Sequence, residues 1–461
     1  MKEKTLIKDY TRGNIPKQLL TFATPLFLSS LLQVVYNMVD MIIVGNVMGE
    51  VGLSAVSVGG DVSNFLTFFG MGFASAGQII IAKYIGSGQR EKVGRFIATM
   101  FSTLTAAAVL ISAVCILLRR PILLLMNTPD EALTEALGYS TVCIIGLVFI
   151  YGYNTMSAVL RGLGDSKHPF VFISIAALLN VILDLLFVIS FDMGATGAAL
   201  ATVISQGVSF LCCAVFLYVK RREVGFTVSA SDFIKIDRAM LSDLTKLGLP
   251  MAIKFGSVQF SKLFVNSFIN SYGVAVSAFA GVANKISSIS NLISNSLNTA
   301  GSSMVSQNIG ARKYSRVPKI ALSIAVATFT IAITLSALTL TFPEQIFGIF
   351  IEEEGRDSVM AIGMEYLPVA VLMFFGSACR APANAIVNGS GNYRVNFATA
   401  ILDGIVLRIG LSLLFGLTLD MKYIGFWLGD ALAGFTPMVV GIFFYLSGKW
   451  KGKEKAEPIN K

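Results

Sequence analysis

Asp40, Asp61 and Asp184 are carboxylates set inside otherwise apolar runs in the first half of this 461-residue chain. A carboxylate at a bilayer centre costs about 2.5–3.5 kcal/mol on insertion scales, so such a residue is a functional candidate by default. Gln33, Tyr36 and Asp40 fall at i, i+3 and i+7 and so share one helix face. Asp184 lies one turn from Asn180, and Ala198 one turn from Thr202. Two carboxylates, an amide and a hydroxyl can therefore converge between three helices. Two carboxylates in low dielectric do not readily both ionise, so one keeps its proton, and the pair can act as a proton carrier. The same oxygens, with a backbone carbonyl, form an all-oxygen ligand set for a small hard cation. Asp184, Asn180 and Thr202 are the candidate ligands if that cation is Na+. Asp61 lies nearer an outer helix end, where an acid reaches water.

The elements that position these residues follow from composition. The chain is 54% hydrophobic and 14% charged, against about 45–50% and roughly 25% in soluble domains. Mean hydropathy is +0.73. The charge deficit excludes a disordered chain, a disulfide mini-protein and an ordinary soluble enzyme. Twelve apolar segments can be read, at roughly 19–46, 52–81, 96–118, 133–160, 169–190, 195–219, 247–270, 276–304, 318–341, 360–386, 395–417 and 423–446. Many are interrupted by Gly, Ser, Asn or Thr, which let membrane helices approach closely. The expected class is an all-α membrane protein of twelve transmembrane helices. Residues 2–17 are charged, and the run after them is too long for a signal-peptide core and lacks a small-residue cleavage site, so no cleavable signal is expected. Cys115, Cys143, Cys212, Cys213 and Cys379 all lie in apolar runs without metal-ligand spacing and read as packing residues. His168 is the one histidine, so a zinc site is not expected.

The net charge of +9 does not call for nucleic acid. With the N-terminus inside, 27 of the 36 Lys and Arg fall in inside loops and tails, and only Arg119, Arg120, Arg356 and Lys422 outside. That split predicts a multi-pass protein of the cell membrane with both termini cytoplasmic, and Glu352-Glu353-Glu354 outside. The chain also repeats. Ala76-Gly77 and Ile85-Gly86 return as Ala300-Gly301 and Ile309-Gly310 at an offset of 224. Gly162-Leu-Gly164-Asp-Ser-Lys167 returns as Gly389-Ser-Gly391-Asn-Tyr-Arg394 at an offset of 227. Two six-helix lobes are expected, related by a pseudo-two-fold axis along the membrane normal, as in secondary transporters. The expected divisions are an N-lobe at 1–222, a cytoplasmic linker at 223–246, a C-lobe at 247–448 and a basic tail at 449–461. The paired glycine motifs lack a P-loop Lys-Ser/Thr and follow no strand, so they read as tight corners and not as a nucleotide site. Pro25 and Pro250 are placed near helix starts, whereas Pro437 is expected to kink the twelfth helix.

The acids are not duplicated with the rest: Val265 aligns with Asp40, and Leu411 lies near the counterpart of Asp184. The second half instead carries Lys254, Lys262, Lys285, Arg380 and Arg408 inside its apolar segments, against Asp403 and Asp430. Ion pairs such as Arg408 or Arg380 with Asp403 are one reading. A basic cavity wall favouring anionic or zwitterionic substrates is the other. The candidate substrate-cavity residues are Gln33, Tyr36, Tyr139, Asn154 and Gln206 in the first half, and Lys254, Gln259, Lys262, Lys285 and Arg380 in the second.

The stretch Gln33-Val-Val-Tyr-Asn-Met-Val-Asp40-Met-Ile-Ile-Val-Gly45 resembles the first helix of multidrug and toxic compound extrusion (MATE) transporters. So do Gly72-Phe-Ala-Ser-Ala-Gly77, Ala82-Lys-Tyr-Ile-Gly86, Gln89-Arg-Glu-Lys92, Leu160-Arg-Gly-Leu-Gly-Asp-Ser-Lys167 and Asn180-Val-Ile-Leu-Asp184. The resemblance implies a V-shaped molecule of two six-helix lobes, alternating access, and export of organic compounds against inward H+ or Na+. In the branch with an N-lobe cation site, the DinF-like one, it assigns that site to Asp40, Asn180, Asp184, Ala198 and Thr202, with Tyr139 and Asn154 lining the lobe. Another branch carries an acid in the seventh helix, where this chain has Lys254 and Lys262. The expectation is a non-enzymatic antiporter with no cofactor beyond the coupling ion. Its partners would be small organic substrates (cationic, zwitterionic or anionic) and membrane lipid, with no nucleic acid, and it would be a monomer. A lipid-linked oligosaccharide flippase is the alternative, and a membrane-embedded transferase a distant third for want of an acid cluster or His/Asp pair.

Overall fold

The apolar segments become long helices. A computed structural model describes residues 7–224, 229–351 and 355–452, which leaves Glu352 to Glu354 and most of the basic tail outside the described residues. The described residues are helical throughout, with no strand. Nine of their helices are long and apolar enough to cross a membrane. The first of these, Ile15–Gly86, is two helices joined at Gly49, whose φ of 63° and ψ of −147° leave helical space. We call them α1 (15–48) and α2 (50–86). There follow α3 (Arg90–Leu125), α4 (Asp130–Gly162), α5 (Lys167–Ser190) and α6 (Gly194–Val224). Next come α7 (Arg238–Asn270) and α8 (Val274–Gly310), which have the length for a crossing but are more polar. The series ends with α9 (Val317–Thr341), α10 (Arg356–Gly389), α11 (Tyr393–Thr418) and α12 (Lys422–Leu446). This series is consistent with the twelve expected segments.

The chain forms two compact units. One contains the residues up to Asp9 and Thr21–Gly256; the other contains Tyr10–Leu20 and the chain from Ser257 on. The division therefore falls inside α7 and not in the linker, because the first turns of α7 pack into the first unit's core. Leu244, Leu247, Met251 and Ala252 share a buried apolar cluster with Phe73, Phe96 and Tyr151. The N-terminal segment is shared out similarly. Lys8 N donates to Leu163 O at 3.1 Å in the first unit. In the second, Tyr10 N donates to Gln307 Oε1 at 2.6 Å, Asn308 Nδ2 to Tyr10 O at 3.1 Å and Lys313 Nζ to Thr11 O at 3.0 Å.

The repeat is visible in packing. A Cβ on Gly77 would strike the end of Met100, and one on Gly301 the end of Ile324, so the same contact recurs at the sequence offset of 224. The glycine corners form as expected. α4 and α10 stop at Gly162 and Gly389, and Gly164 (φ 91°) and Gly391 (φ 69°) turn the chain in the left-handed region that glycine tolerates. The next residue then meets the first N–H groups of the following helix. Asp165 Oδ1 accepts from Lys167 N at 3.0 Å, and Asn392 Oδ1 from Val395 N at 3.2 Å.

The expectations for Pro25 and Pro250 need correction. Pro25 and Pro250 are interior to α1 and α7, because both helices begin about two to three turns earlier on polar residues that hydropathy does not detect. The break in α12 falls at Gly434, ahead of Pro437, which occupies the first turn of the second piece, where its missing N–H costs nothing. α5 and α11 depart from regular helix too: π-helical stretches run over Leu185–Ser190, Leu402–Leu407 and Leu414–Thr418. All five cysteines are free, four buried and Cys212 half-buried. Where α11 meets α12, the backbone of Ser412 lies against Gly429. Gly429→Ala is expected to lower unfolding stability in micelles by about 1–3 kcal/mol, since backbone cannot step aside as a side chain can. An unchanged melting temperature would contradict this close crossing.

Candidate functional site

In the first unit, α1, α2, α4 and α6 enclose a cavity of about 440 Å³. Every first-half substrate candidate lines it: Gln33 and Tyr36 from α1, Tyr139 and Asn154 from α4, and Gln206 from α6. Asp40 and Thr202 line it as well, and Asp61 projects from α2 on an exposed turn. The helical spacing explains the convergence, since Gln33, Tyr36 and Asp40 lie along one face of α1 and Thr202 and Gln206 along one face of α6.

At one end of the cavity the groups become dry. Asp40 is 6% exposed, Asn180 1% and Asp184 0%. Thr202 Oγ1 donates to Asp40 Oδ2 at 3.5 Å, and Gln206 Nε2 donates to Tyr36 OH at 3.3 Å. Asp40 and Asp184 stand close enough to interact directly. Yet Asp40 Oδ1, both carboxylate oxygens of Asp184 and both polar atoms of the Asn180 side chain have no hydrogen-bond partner. Buried polar atoms are normally satisfied, so this concentration of orphaned oxygens marks a place made for something else. A proton shared between the acids, or a hard cation among the oxygens, would satisfy it. A small space of about 10 Å³ between Tyr36, Asn180, Thr202, Ser205 and Gln206 adjoins them, near the lower limit for one water. The Ala198 side chain is a buried methyl. It packs with Val44 and Val188 in the apolar cluster that also holds Tyr139.

Sequence reading passed over Asn37, Ser63, Asn64 and Ser205, which the structure places on these walls. Ser205 was detectable, being three residues beyond Thr202 on the same face. Ser63 and Asn64 gave no such signal, because isolated small polar residues are ordinary in membrane helices.

The second-half candidates divide. Arg408, 2% exposed, donates through Nη2 to Asp403 Oδ1 at 2.9 Å and through Nη1 to Asp430. Arg380 lies 3.6 Å from Asp403. The expected ion pairs therefore form, with Asp430 as an added partner. Lys262 and Arg380 meet at a cavity of about 30 Å³ within the second unit. Lys254, Gln259 and Lys285 do not join them. Lys285 is exposed and stands 5.4 Å over the Phe350 ring, while Lys254 and Gln259 are half-buried elsewhere on α7. The five candidates do not form one basic wall, because their apolar segments fixed depth but not helix phase.

Comparison with known proteins agrees with this architecture. The MatE family model matches residues 25–186 and 250–414, one stretch in each half. The chain is 30% identical over 443 residues to the probable multidrug resistance protein YpnP of Bacillus subtilis, covering 96% of this chain and 97% of that one. It is 21% identical to the multidrug export protein MepA of Staphylococcus aureus, covering 89% and 90%. Among solved structures, a MOP superfamily transporter from Pyrococcus furiosus, described as having a binding pocket of reverse polarity, superposes with a TM-score of 0.88. That match has 22% identity and covers 98% of this chain and 99% of that one. An outward-facing multidrug resistance MATE transporter superposes with a TM-score of 0.86 at 23% identity, covering 96% and 98%. The protein is a multi-pass membrane protein with the MATE fold, and it belongs to the MatE family.

Proposed function

We propose that this protein is a secondary active exporter of small organic compounds, driven by H+ or Na+ moving inward through Asp40 and Asp184. The observation that carries this reading is the buried, unpartnered carboxylate of Asp184 beside Asp40, at the dry end of a cavity large enough for a drug-sized molecule. Asp40 and Asp61 line that cavity, and among the described residues no basic side chain does, so a cation is the fitting occupant. Each positive charge entering yields about 2.3 kcal/mol per 100 mV, which can be exchanged for outward movement of substrate. Ion binding alters the charge next to Tyr36 and Thr202 and so favours one arrangement of α1 against α6 over another. On this reading the protein is a DinF-like monomer of the cell membrane, and the excess of Lys and Arg in the inside loops supports cytoplasmic termini. The flippase alternative draws on a basic wall. Arg408 is already held by two acids, so the exporter reading is preferred.

Reconstituted into liposomes, the wild type should move a fluorescent substrate only when a proton or sodium gradient is imposed, and the effective gradient names the ion. Asp40→Asn, which keeps the shape and removes the charge, should uncouple transport from that gradient. Gradient-driven efflux at wild-type rate in this variant would remove Asp40 from the coupling site.

A further inference from the structure

The second unit holds a charge imbalance of its own. Lys262 lies within electrostatic reach of Arg380, Arg408, Asp403 and Asp430. Three bases thus face two acids inside membrane-spanning helices. Arg408 is committed to both acids, and Arg380 reaches Asp403 at 3.6 Å. Lys262, half-buried, supplies the charge in excess when it is protonated. An unbalanced buried charge is costly unless something pairs with it.

Three observations point to that partner. The Nε of Arg408, on a side chain 2% exposed, has no hydrogen-bond partner, and neither has the Nε of Arg380. A cavity of about 30 Å³ opens beside them, lined by Lys262, Arg380, Ser287, Ser290 and Ser377 among others. It exceeds the roughly 10–15 Å³ that one water needs and is far too small for a drug. Arg380 is 21% exposed, which gives an ion a way in.

We propose that this cluster binds a single monovalent anionic group, of halide or carboxylate size, between Lys262, Arg380 and Ser290. The anion completes the charge count, and the lining offers it Lys262, Arg380, Arg408 and serine side chains, with Asp430 as the one acid among them. The group can be a free halide or the carboxylate of a transported compound. This inference does not rest on the N-unit coupling site, and it can fail or stand apart from it.

The test uses purified full-length protein in micelles, titrated with sodium chloride or sodium acetate against a bulky sulfonate salt at constant ionic strength. The melting temperature should rise saturably with chloride or acetate and not with the sulfonate. Lys262→Met leaves two bases facing two acids, and its half-saturation should weaken about tenfold or more. Lys262→Gln serves as a second variant should the first fold poorly. Asp430→Asn raises the excess to two and should bind more tightly, a change of opposite sign that general destabilisation would not give. Iodide quenching of Trp427 gives a second readout, since its ring lines the adjoining space together with Lys262 and Asp430; Trp450→Phe removes the other tryptophan. In liposomes, chloride that competes with efflux of a carboxylate-bearing compound while sparing a cation points to the cargo's own carboxylate. A chloride requirement for both compounds points to a bound halide. Equal melting temperatures in chloride, acetate and sulfonate, or an unchanged half-saturation in Lys262→Met and Lys262→Gln, would overturn the proposal in favour of an uncharged Lys262.

Discussion

Liposomes carrying Asp184→Asn are expected to show ion-driven efflux at no more than about one hundredth of the wild-type rate, while substrate binding changes by only a few-fold. Asp184 is fully buried and outside the ring of residues that line the large cavity, so its loss should be felt by the ion and not by the cargo. A hydrogen bond to a charged group is worth about 1.5–3 kcal/mol, so even one lost carboxylate contact weakens the ion by about ten- to a hundredfold. Losing the ability to carry a proton or balance a cation adds to that. The same variant should unfold at a higher temperature than wild type, because two buried carboxyl groups set against each other cost stability that a carboxyl beside a neutral amide costs less of. Tracer efflux, equilibrium substrate binding and thermal unfolding on one preparation check all three. Efflux within tenfold of wild type would remove Asp184 from the motor. A drop in melting temperature would mean that its oxygens are satisfied in the folded protein.

Arg408→Met should have the largest effect on stability, a loss of about 3–5 kcal/mol, because it leaves Asp403 and Asp430 facing each other without their shared base. Replacing Arg408, Asp403 and Asp430 together with Met, Leu and Leu should recover part of that loss, since an apolar substitute for a buried ion network is often neutral or better, while Arg380 and Lys262, left without an acid, hold it short of full recovery. Denaturant unfolding of the single and triple variants in micelles decides the matter. A single variant as stable as wild type would mean that water reaches the triad freely. A triple variant no better than the single would mean that the network holds α11 and α12 together by more than charge.

Much of the candidate site could be read from the chain because acids are rare in apolar segments. Asp40 and Asp184 stood out by type, and helical spacing brought Tyr36, Asn180 and Thr202 with them. The cavity confirms that Gln33, Tyr36, Tyr139, Asn154 and Gln206 share one space. The glycine corners were legible because the repeat presents them twice. The second unit was less so. Asp430 pairs with Arg408 across two helices, and no periodicity within either helix records that crossing. Lys262 lines the small cavity of the second unit whereas Lys285 stands exposed over Phe350, since a hydropathy pattern locates a segment without fixing its rotation. Helix starts were misplaced for a related reason. The opening turns of α1 and α7 are polar, and their helicity comes from the long segment they continue.

The division of the chain between the two units has a consequence for gene fission. A cut between α6 and α7 would separate the six-helix halves of the sequence without separating the units. The N-terminal fragment would carry away Tyr10–Leu20, which belongs to the second unit, and the C-terminal fragment would keep residues 238–256, which belong to the first. Each fragment would then lack a piece that only the other can supply. Co-expressed, they should behave as obligate complements, each half-gene rescuing the other by reciprocal exchange of a segment, and neither should accumulate alone.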